Sequence, residues 1–140
     1  MAGYSETPLL QKLGIKPETV VATIDAPPGY RKLLGPAAGL LAFSDKPKNG
    51  AEFIHVFAKE RTNLEKHLKQ LRRTVADTGT VWVSWPKKSS GVTSDVTEDV
   101  IRAIALPLGF VDVKVCAVDE IWSGLKLMVR RESRRKSSKP

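Results

Sequence analysis

Two apolar runs separated by one amphipathic helix set the plan of this chain. The first run is 51–58, from Ala51 to Ala58, and the second is 80–85, from Thr80 to Trp85. Between them Leu64, Leu68, Leu71 and Val75 recur at spacings of four, three and four, which makes one apolar stripe on a helix. Lys66, Lys69, Arg72 and Arg73 lie off that stripe. Thr62 and Glu65 have capping-box spacing, and Gly79 suits the residue after the helix exit. Strand, helix, strand in one sheet requires a crossover, so the two strands run parallel with a right-handed connection.

The flanking segments extend the alternation. Thr7, Pro8 and Gly14 punctuate a short helix, with Thr7 as cap and Gly14 at the left-handed exit. Residues 19–25 are β-branched and mostly apolar, a buried strand that stops at Ala26-Pro27-Pro28-Gly29. Residues 30–35 allow at most two helical turns, and 40–43 make a short strand. The link from Phe43 to Ala51 is too short for a helical crossover, so this second strand is expected to run antiparallel or to be barely formed. Ser94-Asp95 opens the next helix, with Glu98 and Asp99 in its first turn, where the dipole favours acids. The last strands, 110–119 and 125–130, are joined by so short a connection that they pair antiparallel.

This order predicts one α/β domain over 1–131, a three-layer Rossmann-like sandwich with a mostly parallel sheet and a C-terminal antiparallel hairpin. A chain of 140 residues can bury such a core without disulfides or metals. No apolar run approaches the ~18 residues of a membrane span. The first residues lack the basic and apolar regions of a secretory signal, and the one cysteine, Cys116, has no internal partner; a cytoplasmic location is the expectation. The net charge of +8 resides mainly in the last eleven residues, where six basic residues face the single acid Glu132. Residues 132–140 read as a basic disordered tail, able to hold nucleic acid weakly and without sequence preference.

From Ala51 onward the order resembles the second half of the class I methyltransferase fold. In addition Trp82-Val83-Ser84-Trp85-Pro86-Lys87-Lys88, Thr97-Glu98-Asp99, Val115 to Glu120 and Trp122-Ser123-Gly124-Leu125-Lys126 resemble a family of small bacterial proteins of unknown function. The first resemblance implies S-adenosylmethionine as a cofactor, and the second implies no activity. The cofactor pattern departs at the first turn. There Pro27 and Pro28 lack N–H donors, and Ala26 carries a Cβ where that family has glycine. Asp45, after the second strand, stands where that family's ribose-binding acid would fall.

The candidate site is the loop after the 80–85 strand, since open α/β sheets bind ligands beyond the carboxyl ends of their strands. Lys87 and Lys88 offer cations, Ser89, Ser90, Thr93 and Ser94 hydroxyls, and Gly91 flexibility. Asp25 closes the neighbouring strand, and Trp85 and Trp122 could flank the same crevice. Such donors beside a helix start suit a phosphate or carboxylate. The spacing around Gly91 is not that of a P-loop. Neither His55 nor His67 has a partner at metal-ligand or triad spacing, so no metal is expected. Asp119 and Glu120 are adjacent and would face opposite sides of a strand.

The reading favoured by the sequence is a non-catalytic module that binds a small anionic ligand or a protein partner at 87–94, without a cofactor. A methyltransferase-like enzyme with a degenerate cofactor loop is the alternative. A nucleic-acid accessory protein acting through its tail is the third.

Overall fold

In the computed structural model, which describes residues 8–134, helix α1 (Leu9–Leu13) precedes strand β1 (Val20–Ile24). Helix α2 (Tyr30–Leu34) and a 3-10 turn over Pro36–Leu40 lead to β2 (Ala42–Ser44). Then come β3 (Ala51–Phe57), α3 (Arg61–Thr74) and β4 (Val75–Pro86), followed by α4 (Glu98–Ala105) and the hairpin β5 (Phe110–Ala117) and β6 (Trp122–Val129). The strands form one six-stranded sheet in the order β2-β1-β3-β4-β6-β5. The first four run parallel, and β6 lies antiparallel between β4 and β5. This is the α/β sandwich the element order predicts.

Alternation along the strands divides the core in two. Ile54, Val56, Val81, Val83, Trp85, Leu125 and Leu127 point to the side of α3 and α4 and bury Leu64, Leu68, Leu71, Ile101 and Ile104 with them. Phe53, Phe57, Trp82 and Trp122 point to the other side, where Leu13, Tyr30 and Leu34 cover them. Trp82 is also tied to α1, because its Nε1–H donates to the Leu13 carbonyl at 2.9 Å. The α3 stripe is the main anchor of its layer: each fully buried leucine contributes roughly 1.5–3 kcal/mol of transfer free energy.

Of the two expectations for the second strand, barely formed holds and antiparallel does not. It is only three residues long, yet it is parallel, and it pairs with β1 rather than β3. Ser44 and Ile54 both stand level with Ala22, so residues 45–50 need only drop back three positions and pass the start of β1 to reach Ala51. Six residues span that distance without a helix. No helix from this connection covers the β1–β2 end of the α3 face, and a groove of about 610 Å³ lies there, lined by Val20, Ala22, Phe43 and the 45–50 loop.

Three helix boundaries also move. Helix α3 ends at Thr74, and Val75 is already extended (φ −70°, ψ 143°). The Thr74 carbonyl accepts the Gly50 N–H at 2.8 Å, and the chain enters β4 five residues before the expected strand start at Thr80. Gly79 is therefore a strand residue, not a helix exit. A Cβ there would lie 2.8 Å from Val75 Cγ2 and 2.9 Å from the Ala51 carbonyl oxygen, so only glycine fits. At the other end of α3 the capping box does not form. Glu60 is the N-cap, and Asp95 accepts the Arg61 N–H at 2.7 Å from across the loop. Helix α4 begins at Glu98 with Thr97 as its cap, its Oγ1 accepting from Val100 N, rather than at Ser94-Asp95. After β6 the chain makes a 3-10 turn over Arg131–Ser133, and Arg72 Nη2 donates to the Ser133 carbonyl at 2.6 Å. The described start of the basic segment thus stays on the domain, and the rest of the expected tail lies outside the described residues.

Candidate functional site

The loops after β1, β3 and β4 meet at the carboxyl end of the sheet and enclose a crevice of about 920 Å³. One wall is the turn Asp25, Ala26, Pro27 and Pro28; another is Ala58 to Asn63 with His67 of α3; Thr93, Ser94 and Asp95 close the third, and Phe57 and Trp122 form the floor. The second and third walls are laced together. The Lys59 carbonyl accepts both Ser94 Oγ (2.9 Å) and the Asp95 N–H (3.1 Å). Asp25 sits in the left-handed region (φ 59°), which Asp tolerates better than most side chains, and this conformation ends β1 abruptly. Its carboxylate lies 3.8 Å from His67 Nε2.

A second cavity, about 660 Å³, opens between the ends of β1 and β2. Thr23, Gly29, Tyr30, Arg31, Phe43, Ser44 and Asp45 line it, and the Arg31 guanidinium stacks 4.3 Å over the Phe43 ring. Ala26 lines both cavities, so they adjoin across the turn that follows β1.

Of the residues singled out from sequence, Asp25, Thr93, Ser94 and Trp122 line the larger crevice. Trp85 and Trp122 do not flank it together: Trp85 belongs to the α3–α4 core, and Trp122 to the opposite face. Lys87 Nζ donates to the Asp119 carbonyl at 2.8 Å, and its backbone N–H donates to Ile121 O. Lys88, Ser89 and Ser90 form a 3-10 turn that exits through Gly91 (φ 78°). Ser90 Oγ is engaged locally, donating to Lys87 O and accepting from Val92 N. With α4 starting at Glu98, its amino end is not part of the 87–94 loop. Asp119 is a turn former, its Oδ1 accepting the N–H groups of Ile121 and Trp122. Among the described residues no three His, Cys, Asp or Glu side chains converge as a metal site.

Sequence reasoning missed a buried chain of polar groups. Tyr30 Oη lies 2.8 Å from His55 Nδ1, and Ser84 Oγ lies 2.7 Å from His55 Nε2. All three side chains are buried, and His55 stacks on Phe57 at 4.3 Å. Burial pushes the imidazole from 6.5 down to about 3, so the ring is neutral, donating from one nitrogen and accepting at the other. The same burial pushes the Tyr30 hydroxyl well above its ordinary value. One signal was available: His55 and Ser84 each sit between two apolar neighbours inside an apolar run, and such groups need partners.

No protein-family model and no curated protein matches this sequence, so the resemblance to a small bacterial family gains no support there. Solved structures do match. A protein from Sulfolobus solfataricus, provisionally described as a type 11 methyltransferase, aligns with a TM-score of 0.61 at 13% identity over 91% of this chain and 92% of its own. A SAM-dependent methyltransferase from Aquifex aeolicus aligns at 0.59, with 16% identity over 86% and 87%. PigF with SAH aligns at 0.54, with 11% identity over 79% of this chain and 56% of PigF. The fold is that of the class I methyltransferases. At these identities the likeness establishes architecture, and function rests on the residues at the crevice.

Proposed function

We propose that this protein is a methyltransferase-type domain that binds S-adenosylmethionine in the β1–β2 cavity and a methyl acceptor in the larger crevice. The observation that carries the reading is the adjacency of the two cavities at Ala26, beyond the carboxyl ends of β1 and β3. The solved methyltransferases that share the fold support it.

The residues present fit an adenosyl ligand in most respects. Asp45 is exposed at the end of β2, where a carboxylate can accept from two ribose hydroxyls. Thr23 adds a hydroxyl, Phe43 an aromatic face, and Arg31 a cation for a carboxylate end. The turn itself contributes less than a glycine-rich one. Pro27 and Pro28 have no N–H, and the Pro27 carbonyl is taken by Tyr30 N at 3.2 Å. The methionine end is therefore held by side chains more than by backbone.

When bound, S-adenosylmethionine supplies an electrophilic methyl group on sulfur. The chain's own contribution is to place the acceptor and take its proton. Phe57 and Trp122 give the crevice an apolar floor that excludes water. His67 Nε2 is positioned to accept a proton from an acceptor N–H or O–H, and Asp25 Oδ2 at 3.8 Å provides the counter-ion for the imidazolium that results.

Calorimetric titration with S-adenosylmethionine and S-adenosylhomocysteine tests the reading. Both should bind saturably, and Asp45→Ala should weaken binding about tenfold or more, given roughly 1.5–3 kcal/mol for hydrogen bonds to a charged group. Absence of binding heat for either ligand, or affinity unaffected by Asp45→Ala, would overturn it.

A further inference from the structure

The sheet face opposite α4 carries charges that no described residue balances. In β6 Leu125, Leu127 and Val129 turn into the α3–α4 core, so Lys126 and Met128 occupy the other face. Register places Lys114 of β5 directly opposite Lys126, and Val111 opposite Met128. Like charges directly opposed across two strands are destabilising, and an uncompensated fold would select against them. Lys12 adds a third charge from α1: the fields of Lys12 and Lys114 both reach the Cys116 thiol. The Lys126 ammonium lies over the end of α1, 3.9 Å from where a Cβ on Gly14 would stand. Desolvation and then the charge of Lys114 lower its pKa.

None of these three lysines makes a hydrogen bond or ion pair with another described residue, whereas the acid of β5, Asp112, turns away to Arg102 of α4 at 2.7 Å. The basic run continues past the end of β6, interrupted by Glu132: Arg130 Nη2 donates to the Leu106 and Phe110 carbonyls, Arg131 is exposed, and Arg134 Nε donates to the Val129 carbonyl. From Lys126 to Arg130 is four residues of extended chain, roughly 13 Å at ~3.3 Å per residue. The charges therefore spread beyond the reach of one small anion.

We propose that this array, from Lys12, Lys114 and Lys126 to Arg130, Arg131 and Arg134, is a docking surface for the phosphodiester backbone of a nucleic acid. A single small anion could neutralise the Lys114–Lys126 pair but not a run of this length. A chain of regularly spaced phosphates answers both. The sequence pI of about 9.8 agrees with such a partner. Contacts of this kind fix position on the backbone and read no bases. The inference is independent of the adenosyl-ligand reading and differs from tail-only binding, because the three lysines belong to α1, β5 and β6 of the folded body.

The test is fluorescence anisotropy of labelled single-stranded DNA and RNA with the full-length chain, over a potassium chloride series. Wild type is compared with the triple variant Lys12→Gln, Lys114→Gln, Lys126→Gln. Each phosphate contact contributes about 0.7 to the slope of log affinity against log salt for single strands, so the triple variant should flatten it by about 2. Its melting temperature should be unchanged or higher, since a like-charge pair is relieved. If it melts lower, the exposed single variant Lys114→Gln carries the test, with a slope change of about 0.7. Equal slopes for wild type and variant would overturn the proposal. So would phosphatidylserine vesicles that bind more tightly than either nucleic acid and lose that binding in the variant, which would make the surface a membrane contact.

Discussion

The buried His55 should make this fold lose stability as pH falls below neutrality, by an amount the structure specifies. In the native state the ring is enclosed by Tyr30, Ser84 and Phe57, and burial holds its pKa at about 3. In the unfolded chain an ordinary histidine titrates near 6.5. Between those values only the unfolded state binds the proton, so the contribution of neutral His55 is complete above about pH 6.5 and is lost progressively toward pH 3. Each pH unit inside the window costs about 1.36 kcal/mol, and from about pH 7.5 to about pH 5 the loss is about 2 kcal/mol. Urea unfolding followed by tryptophan fluorescence at those two pH values measures it. His55→Gln removes the titration while keeping a donor and an acceptor for Tyr30 and Ser84. Every other group is common to both proteins, so the difference between the two pH dependences isolates His55. Wild type should lose about 2 kcal/mol more than the variant on acidification. Parallel losses would show that His55 is solvated or protonated in the native state, and the account of the buried chain would fail.

Three further outcomes follow from particular contacts. Raised by burial, the Tyr30 hydroxyl stays protonated in the fold where the unfolded chain ionises, so stability is full below about pH 10 and falls above it. Tyr30→Phe should flatten that alkaline loss in thermal melts, and an unchanged profile would contradict the burial. Gly79→Ala should lower the urea midpoint, at a cost of about 1–3 kcal/mol for overpacking against Val75 and the Ala51 carbonyl; a neutral result would mean the β3–β4 irregularity yields. Asp112, held below the usual carboxylate range chiefly by its hydrogen bond from Arg102, adds stability above its unfolded pKa that disappears as pH falls through the lower native value. Arg102→Gln should remove that acid-limb contribution, and identical acid limbs in the two proteins would refute it.

What could be read from the sequence was set by local periodicity, and what could not was set by register. The α3 stripe and the 51–58 and 80–85 runs are local patterns, and they place the sheet's centre correctly. The end of α3 is not local: Thr74 is claimed by Gly50, a residue on another segment, and the cap of α3 is answered by Asp95 thirty-four residues away. The same cause hides the Tyr30–His55–Ser84 chain. His55 and Ser84 meet only because β3 and β4 pair with Phe57 beside Ser84, a register that no window of sequence contains. The rule that ligands gather at the carboxyl ends of strands pointed to the edge where the structure opens a crevice. It could not show that Lys87 would be spent on the Asp119 carbonyl or that α4 would begin three residues beyond Asp95.

The short passage from β2 to β3 makes this fold open to enlargement. Its backbone ties are few: Ser44 Oγ accepts from Lys46 N, Ala51 N donates to Lys48 O, and Gly50 N donates to Thr74 O. An insertion between Pro47 and Lys48 interrupts none of them, and the connection passes the start of β1, away from the crevice floor of Phe57 and Trp122 at the carboxyl ends of the strands. A helix grafted there could lie over Val20, which is 54% exposed, and fill the groove above Ala22. The domain therefore carries a built-in port at which a whole secondary-structure unit could be added without rethreading the sheet.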